Sequence, residues 1–366
     1  MTLSWVRRRT NELTKLVRAS TQTGVGVLSG VKRFVVLTSR HRFSPTEVFA
    51  HGLLDGRLER EPDAVTSNER LLDVQRRLNA RGRTDSTENK IDFQLKCTDL
   101  GLPLPELLAV LGCSPNELFS HLEVTDARTL AEAICSSRWN AVVLKPVYGV
   151  HGRGVLALDC KPGRAIAPGG AVYDVPRLLK HMEKGGFSAW MLQERLRPHP
   201  DFVRATNAEA LSTFRITTLN RGPDEIEVLS LRLRLAMPGA SVDNISFGTT
   251  GNIVANVSPT SLEVTSVIRP RLDGLGYDRV DRHPVTGVKL VGWRVPFASE
   301  ACGLSVRAAR GFYPLRTVGW DVGISDIGAR LIEGNSFWDA GIGTECWPQN
   351  WRKLVGALVA DGSAQI

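Results

Sequence analysis

The chain has 366 residues, of which 42% are hydrophobic and 23% charged. That is enough apolar material for a large buried core shared among two or three lobes, and it excludes a disordered, collagen-like or disulfide-stapled miniature protein. The formal charge of +8 sits at one end: residues 1–42 carry nine Lys/Arg and a single acid, Glu12, while the remainder balances 37 bases against 37 acids. The excess charge therefore describes a basic N-terminal arm on a neutral body, and a uniformly basic nucleic-acid surface is excluded.

Within residues 1–20, Val6, Leu13 and Val17 recur at helical spacing beside Leu3 and Leu16, among basic residues. This predicts an amphipathic helix that either packs on the body or lies on an anionic membrane surface. Residues 68–81 carry Leu71, Val74 and Leu78 and end at Gly82, a helix with a glycine stop. A second helix is expected over 87–100, closed by Gly101 and Pro103, and a third from the N-cap Asp126 to about Arg138. Beyond residue 138 strands take over: apolar runs at Trp139–Lys145, Val155–Leu158 and Ala189–Gln193, then alternating segments at Thr213–Leu219 and Ile226–Leu235, and a late strand at Ala329–Glu333. A helical front and a strand-rich back make the fold class α+β.

No apolar run approaches the ~18 residues that a membrane-spanning helix needs. The six cysteines are scattered, with no CxxC and no zinc spacing, which points to a reducing compartment. Arg7-Arg8-Arg9 is followed by Thr10-Asn11-Glu12 instead of an apolar core, so a secretory signal is not expected and the cytoplasm is the default location.

Three segments could carry chemistry. In residues 144–155, LKPVYGVHGRGV, a strand delivers Lys145 to a loop containing Gly149, Gly152 and Gly154. Glycines let backbone N–H groups close on phosphate oxygens, and lysine adds a point charge. The spacing is neither a Walker A loop nor a dinucleotide fingerprint, and a plain hairpin is the bland alternative. In residues 319–335, Asp321 and Glu333 can face each other across a hairpin, with Asn335 sharing a side with Glu333 through the period of two. Three such oxygen ligands suit a magnesium ion held jointly with phosphates. In residues 191–196, MLQERL, an apolar strand turns polar, either on leaving the core or as a hinge that reads an adenine edge.

In order, Asn89-Lys90, Lys145 with its glycine loop, Gln193-Glu194, Arg215 and Asp321…Glu333-x-Asn335 resemble the ATP-grasp superfamily. LQERLRPHPD (192–201), LSTFRITTL (211–219), VDN (242–244), HPVTG (283–287) and GWD (319–321) resemble its sugar-transfer-associated branch. The resemblance implies two α+β lobes clamping ATP: a basic arm at 1–42, a helical region at 43–138, a small lobe with a glycine-rich flap at 139–192, and a large lobe with a Mg²⁺ site at 193–355. It implies that Lys90 and Lys145 neutralise phosphates, and that Gly149, Val150, His151, Gly152, Arg153 and Gly154 form the flap. Gln193, Glu194 and Leu196 would border adenine, the last two through main-chain groups. Asp321, Glu333 and Asn335 would hold Mg²⁺, and Arg215 with Arg232 or Arg234 would face the γ-phosphate. Asp243 and Asn244 would serve the second substrate or the shell of the metal.

The activity so implied is ADP-forming ligation of a small-molecule carboxylate to an amine, such as an amino acid to an amino sugar, through an acyl phosphate. Product classes would be a modified sugar, a polysaccharide or a peptide-like metabolite. The rival readings are a kinase on the same fold and a non-catalytic nucleotide-binding partner of a glycosyltransferase system. Trp338 and Trp347 are core aromatics or walls of an acceptor pocket, and His199 and His283, beside prolines, are structural.

Overall fold

The computed structural model describes residues 3–61, 64–82, 84–112, 121–149, 152–245, 248–344 and 347–360. Helices open the chain: α1 (Leu3–Gln22), α2 (Val27–Ser39), α3 (Pro45–Ala50), α4 (Arg57–Arg60), α5 (Asn68–Leu78), α6 (Asp85–Glu88) and α7 (Lys90–Asp99). The Ser44 hydroxyl accepts from the Glu47 N–H and the Glu47 carboxylate accepts from the Ser44 N–H, a reciprocal cap at the start of α3. The same carboxylate accepts from the Asn68 N–H, tying α3 to α5. The single helix expected over 87–100 is broken at Asn89, whose side chain turns back to cap Ile91 and Asp92. This break leaves Lys90 as the first residue of α7.

The chain continues through β1 (Leu107–Leu111), β2 (Glu123–Val124), α8 (Ala127–Cys135), β3 (Ala141–Pro146), β4 (Leu156–Lys161), β5 (Arg164–Ile166), β6 (Val172–Tyr173), α9 (Val175–Gly185) and β7 (Trp190–Glu194). These strands form one sheet, in the order β2-β1-β7-β3-β4-β5-β6. Strands β1 and β2 fall in the part expected to be helical. A five-residue apolar run such as LLAVL cannot be told from buried helix by periodicity alone. The Asp126 carboxylate caps α8 as expected, through the Thr129 N–H, although the helix stops at Cys135. Leu130 and Ile134 of α8 and Leu178 and Met182 of α9 bury against Val142, Leu144, Leu158 and Leu192.

The second half comprises α10 (Pro200–Thr206), β8 (Thr213–Asn220), β9 (Ile226–Leu235), β10 (Ile253–Val257), β11 (Val264–Pro270), β12 (Tyr277–Val280), α11 (Ala298–Gly311), β13 (Thr317–Ser325), β14 (Gly328–Asn335) and α12 (Trp347–Ala360). Its sheet runs β12-β11-β10-β9-β8-β13-β14. Helix α11 packs on one face through Ala301, Leu304 and Ala308, meeting Phe214, Ile216, Leu233 and Trp320. Trp338 and Trp347 are buried with α5 and α12, so the core reading holds for both. His199 caps α10, its Nδ1 accepting from the Asp201 N–H, and His283 accepts from the Val285 and Thr286 N–H groups in a turn. Both histidines are structural, as expected.

Residues 195–199 carry the chain from one sheet to the other. The Arg195 N–H bonds Ala141 on the first sheet, while the Asp326 N–H bonds Arg197 and the His199 N–H bonds Ile324 on the second. The two sheets are thereby joined at a narrow seam, with a cleft opening beside it.

Candidate active site

The cleft between the sheets has a volume of about 520 Å³, a size typical of sites for small ligands and cofactors. Strand β3 brings Lys145 to its wall, where the residue is only 6% exposed. Burial, reinforced by the charge of Lys90 and opposed by Glu333, pushes Lys145 down to about 8. Lys90 reaches the same place from the start of α7. Its Nζ donates to the Gly149 carbonyl at 2.8 Å and lies 3.8 Å from Glu333 Oε2. The lack of a Cβ at Gly334 permits the approach of α6 and α7 to β14: a Cβ there would lie 3.0 Å from Trp320, 3.2 Å from Phe93 and 3.2 Å from Thr87.

Gly149 and Gly152 of the glycine loop line the cleft. Gly152 and Gly154 have φ of 70° and 78°, the left-handed region that glycine adopts without a Cβ penalty. A Cβ on Gly152 would come within 3.9 Å of Val242 and Asn244, so the loop tip sits opposite the 242–244 segment of the second sheet's lobe. At its far end the Gly154 carbonyl is 3.0 Å from His181 Nε2. Arg153 borders the cleft as well. Val150 and His151 lie outside the described residues.

On the opposite wall, β8, β9 and β13 assemble a buried ionic cluster. The register sets Arg215 against Asp321 and Thr213 against Arg234. Asp321 Oδ1 accepts from Arg215 Nε at 2.5 Å, and its Oδ2 lies 3.1 Å from Arg215 and 2.7 Å from Arg234. Burial drives the Asp321 carboxyl upward, but the charges and hydrogen bonds of the two arginines prevail and hold it well below the usual carboxylate range. Arg234 also donates to the Thr213 hydroxyl at 2.8 Å and stands 3.7 Å from Asp243. Asp243 in turn accepts from the Thr213 N–H and hydroxyl. Burial raises the Asp243 carboxyl, against the pull of Arg234.

Arg232 is placed differently from Arg234. Its guanidinium donates to the carbonyls of Ala340 and Ile342, and it does not border the cleft. A Cβ on Gly341 would collide with it, so this arginine acts as a strut under the 340–342 loop. Of the two alternatives, the geometry brings Arg234 to the site.

Glu333 pairs with Asp321 across β13 and β14, and Asn335 pairs with Gly319, its Nδ2 donating to the Gly319 carbonyl at 3.3 Å. Both border the cleft. The donors available there are oxygens, which suits a hard cation shared with phosphate; among them the Asp321 carboxylate is already engaged by two guanidiniums. No cluster of three His, Cys, Asp or Glu side chains with metal-binding geometry occurs among the described residues. The charge balance bears on the same question. Among the described residues the lining counts six cationic side chains and six carboxylates. A polyanion entering a cleft so balanced would be favoured by an accompanying cation, for which the oxygens of Glu333 and Asn335 are available on the lining.

At the seam, Gln193 is buried and donates to Gln94 Oε1 at 2.8 Å. Glu194 is drawn into the sheet: its N–H bonds the Glu106 carbonyl and its carboxylate accepts from the Glu106 N–H. Leu196 is buried along the cleft wall. The cleft therefore gathers Lys90, Lys145, Gly149, Gly152, Arg153, Gln193, Glu194, Leu196, Arg215, Arg234, Asp243, Asn244, Asp321, Glu333 and Asn335.

Several lining residues escaped the sequence reading. Glu88 accepts from the Ser336 N–H and is raised mainly by burial, with the nearby Glu333 charge adding to the effect. Thr213 is two residues before Arg215 and shares its strand face, a signal that the period of two could have supplied. Phe337 and Asp339 continue the line of Glu333 and Asn335 into a loop, where no periodicity marks them.

A family profile described as sugar-transfer associated ATP-grasp matches residues 69–344. No curated protein matches the chain. Among solved structures, the chain is similar to D-alanyl-alanine synthetase A from Vibrio cholerae, at 10% identity and a TM-score of 0.40, covering 75% of this chain and 66% of that one. It is also similar to biotin carboxylase from Campylobacter jejuni, at 11% identity and 0.40, covering 77% and 48%. A D-alanine–D-alanine ligase from Helicobacter pylori matches at 10% identity and 0.40, covering 75% and 61%. The chain thus spans less than two thirds of the length of each of these proteins.

Proposed function

The chain belongs to the sugar-transfer associated ATP-grasp family, and from that premise we propose that it is an ADP-forming ligase that activates a small-molecule carboxylate as an acyl phosphate and passes it to an amine. The observation that carries the reading is the convergence of Lys90, Lys145, Arg215 and Arg234 with Glu333 and Asn335 in one cleft beneath a glycine loop. In this reading the sheet containing β3 and β7 is the small lobe, which β1 and β2 extend, and the sheet containing β8 and β13 is the large lobe.

Phosphoryl transfer depends chiefly on positioning and charge neutralisation. Lys145, desolvated and aimed into the cleft, and Lys90, steadied by the Gly149 carbonyl, neutralise the triphosphate. The loop from Gly149 to Gly154 excludes water from a hydrolysable acyl phosphate. Glu194 and Leu196 border the adenine at the seam. Arg215 and Arg234, held by Asp321, are preorganised for the charge that develops on the transferred phosphoryl group, with no reorganisation at the moment of reaction. Glu333 and Asn335, with Asp321 shared between the arginines and the ion, would hold Mg²⁺, which would supply Lewis-acid neutralisation of phosphate charge. Asp243, Asn244 and Asp339 border the part of the cleft left for a second substrate, and carboxylates there suit a cationic amine. An amino acid and an amino sugar are the substrate pair in keeping with the family's description.

Incubation with ATP, Mg²⁺, candidate carboxylates and hydroxylamine tests the reading. A hydroxamate with stoichiometric ADP is expected. A phosphorylated hydroxyl product without hydroxamate would make the chain a kinase, and nucleotide binding without ADP release from any pair would leave it a binding partner.

A further inference from the structure

The first two helices leave apolar surface uncovered. Helix α1 buries Leu16, Ala19 and Ser20, and α2 packs against it so closely that a Cβ on Gly30 would strike the Ser20 hydroxyl. Leu37 and Phe34 of α2 face the body, packing with Phe43, Val48 and Phe49. The outer face of α2 is not the polar surface this arrangement leads one to expect. Leu28 is 81% exposed and Val35 54%, with Val27, Val31 and Val36 also exposed, and Leu13 (62%) and Val17 stand out from α1. At a helical period residues 28, 31, 35 and 36 share one side of α2, interrupted only by Lys32. An uncovered run of aliphatic side chains of this extent marks an interaction surface.

The charge around it identifies the partner. Residues 13–42 contain no acid and six bases. Arg33 and Arg42 are turned to the body through Glu59, Glu69 and Asp73. Arg18, Lys32 and Arg40 are exposed, whereas Lys15, though exposed along its stem, brings its Nζ beside Gly274 of the body. An anionic lipid surface matches both features together: acyl chains take the aliphatic residues and headgroups take the bases. No described helix is long and apolar enough to cross a membrane, so the contact is one of lying on the surface. We infer that the α1–α2 hairpin docks this protein on anionic membrane through Leu13, Val17, Leu28, Val31, Val35 and Val36, with the surrounding lysines and arginines providing attraction. This goes beyond the ligase reading and does not depend on it.

Co-sedimentation of the full chain with large vesicles tests the inference, using phosphatidylcholine alone and phosphatidylcholine containing about one third phosphatidylglycerol. Binding to the anionic vesicles, weakened by added salt, and little binding to the neutral ones are expected. Leu28→Asp with Val35→Asp should lower the partition coefficient about tenfold or more, and Arg18→Glu with Lys32→Glu should lower it similarly. An unchanged melting temperature and nucleotide affinity in both double variants separates lost docking from lost folding. Equal binding to both vesicle types, or undiminished binding by the aspartate variant, would overturn the inference. So would wild-type protein that ignores vesicles yet is dimeric by light scattering and becomes monomeric in the aspartate variant, because a second copy would then be the occupant.

Discussion

Asp321 is the side chain on which the cleft's electrostatics turn, and Asp321→Asn isolates its charge while keeping its shape. The carboxylate is 3% exposed and bridges two buried guanidiniums at 2.5 and 2.7 Å. Removing one partner from such a group leaves the remaining charges uncompensated, at a cost of about 3–5 kcal/mol; here two arginines are left facing one another. Because the folded carboxyl is held below its unfolded value, its contribution to stability is fully present above the ordinary carboxylate range and is lost as pH falls through that range and beneath it. The variant should therefore lose stability in urea at neutral pH, through a lower midpoint at unchanged slope, and the difference from wild type should shrink in acid. Adding Arg234→Met to the variant should recover part of the loss, since one buried charge then disappears. A loss below about 1 kcal/mol at neutral pH, the level of an exposed pair, would refute the claim that the cluster is preorganised by ion pairing.

Nucleotide affinity should weaken as pH rises through about 8, where the free protein's Lys145 loses its proton; isothermal titration with ADP in the wild type and in Lys145→Met, whose profile should be flat, checks this. The same depressed lysine makes folding stability rise with pH between about 8 and the ordinary lysine value, because the unfolded chain there binds more protons. Glu333→Gln and Asn335→Ala should each abolish Mg²⁺-dependent ADP release with the melting temperature close to wild type, and undiminished turnover in both would remove the metal assignment. Gly334→Val should destabilise by about 1–3 kcal/mol through overpacking against Trp320, Phe93 and Thr87, and should raise the KM for ATP by displacing Lys90 from Glu333.

Much of this protein was determined by sequence alone. Strand β9 occupies the alternating segment Ile226–Leu235 that was expected for it, and the cap at Asp126 does what its side chain predicts. Such features are local, set by period, turn chemistry and the hydrogen-bonding reach of one side chain. The family match, over residues 69–344, is likewise a property of the sequence alone. Other outcomes were not contained in any local pattern. Arg232 and Arg234 share a strand and a spacing, yet one props a loop and the other enters the cleft, because what lies over a strand is decided by segments far along the chain. The spacing of Asp321 predicts an oxygen ligand, but no local pattern says that Arg215, opposite it on β8, and Arg234, one strand farther, also engage its carboxylate. The exposed face of α2 resembles core in composition, and only the packing of α1 and α3 against its other side shows that half of it was left outside. Burial and charge compensation are properties of the assembled chain, since each depends on neighbours that the backbone brings together only after it has folded.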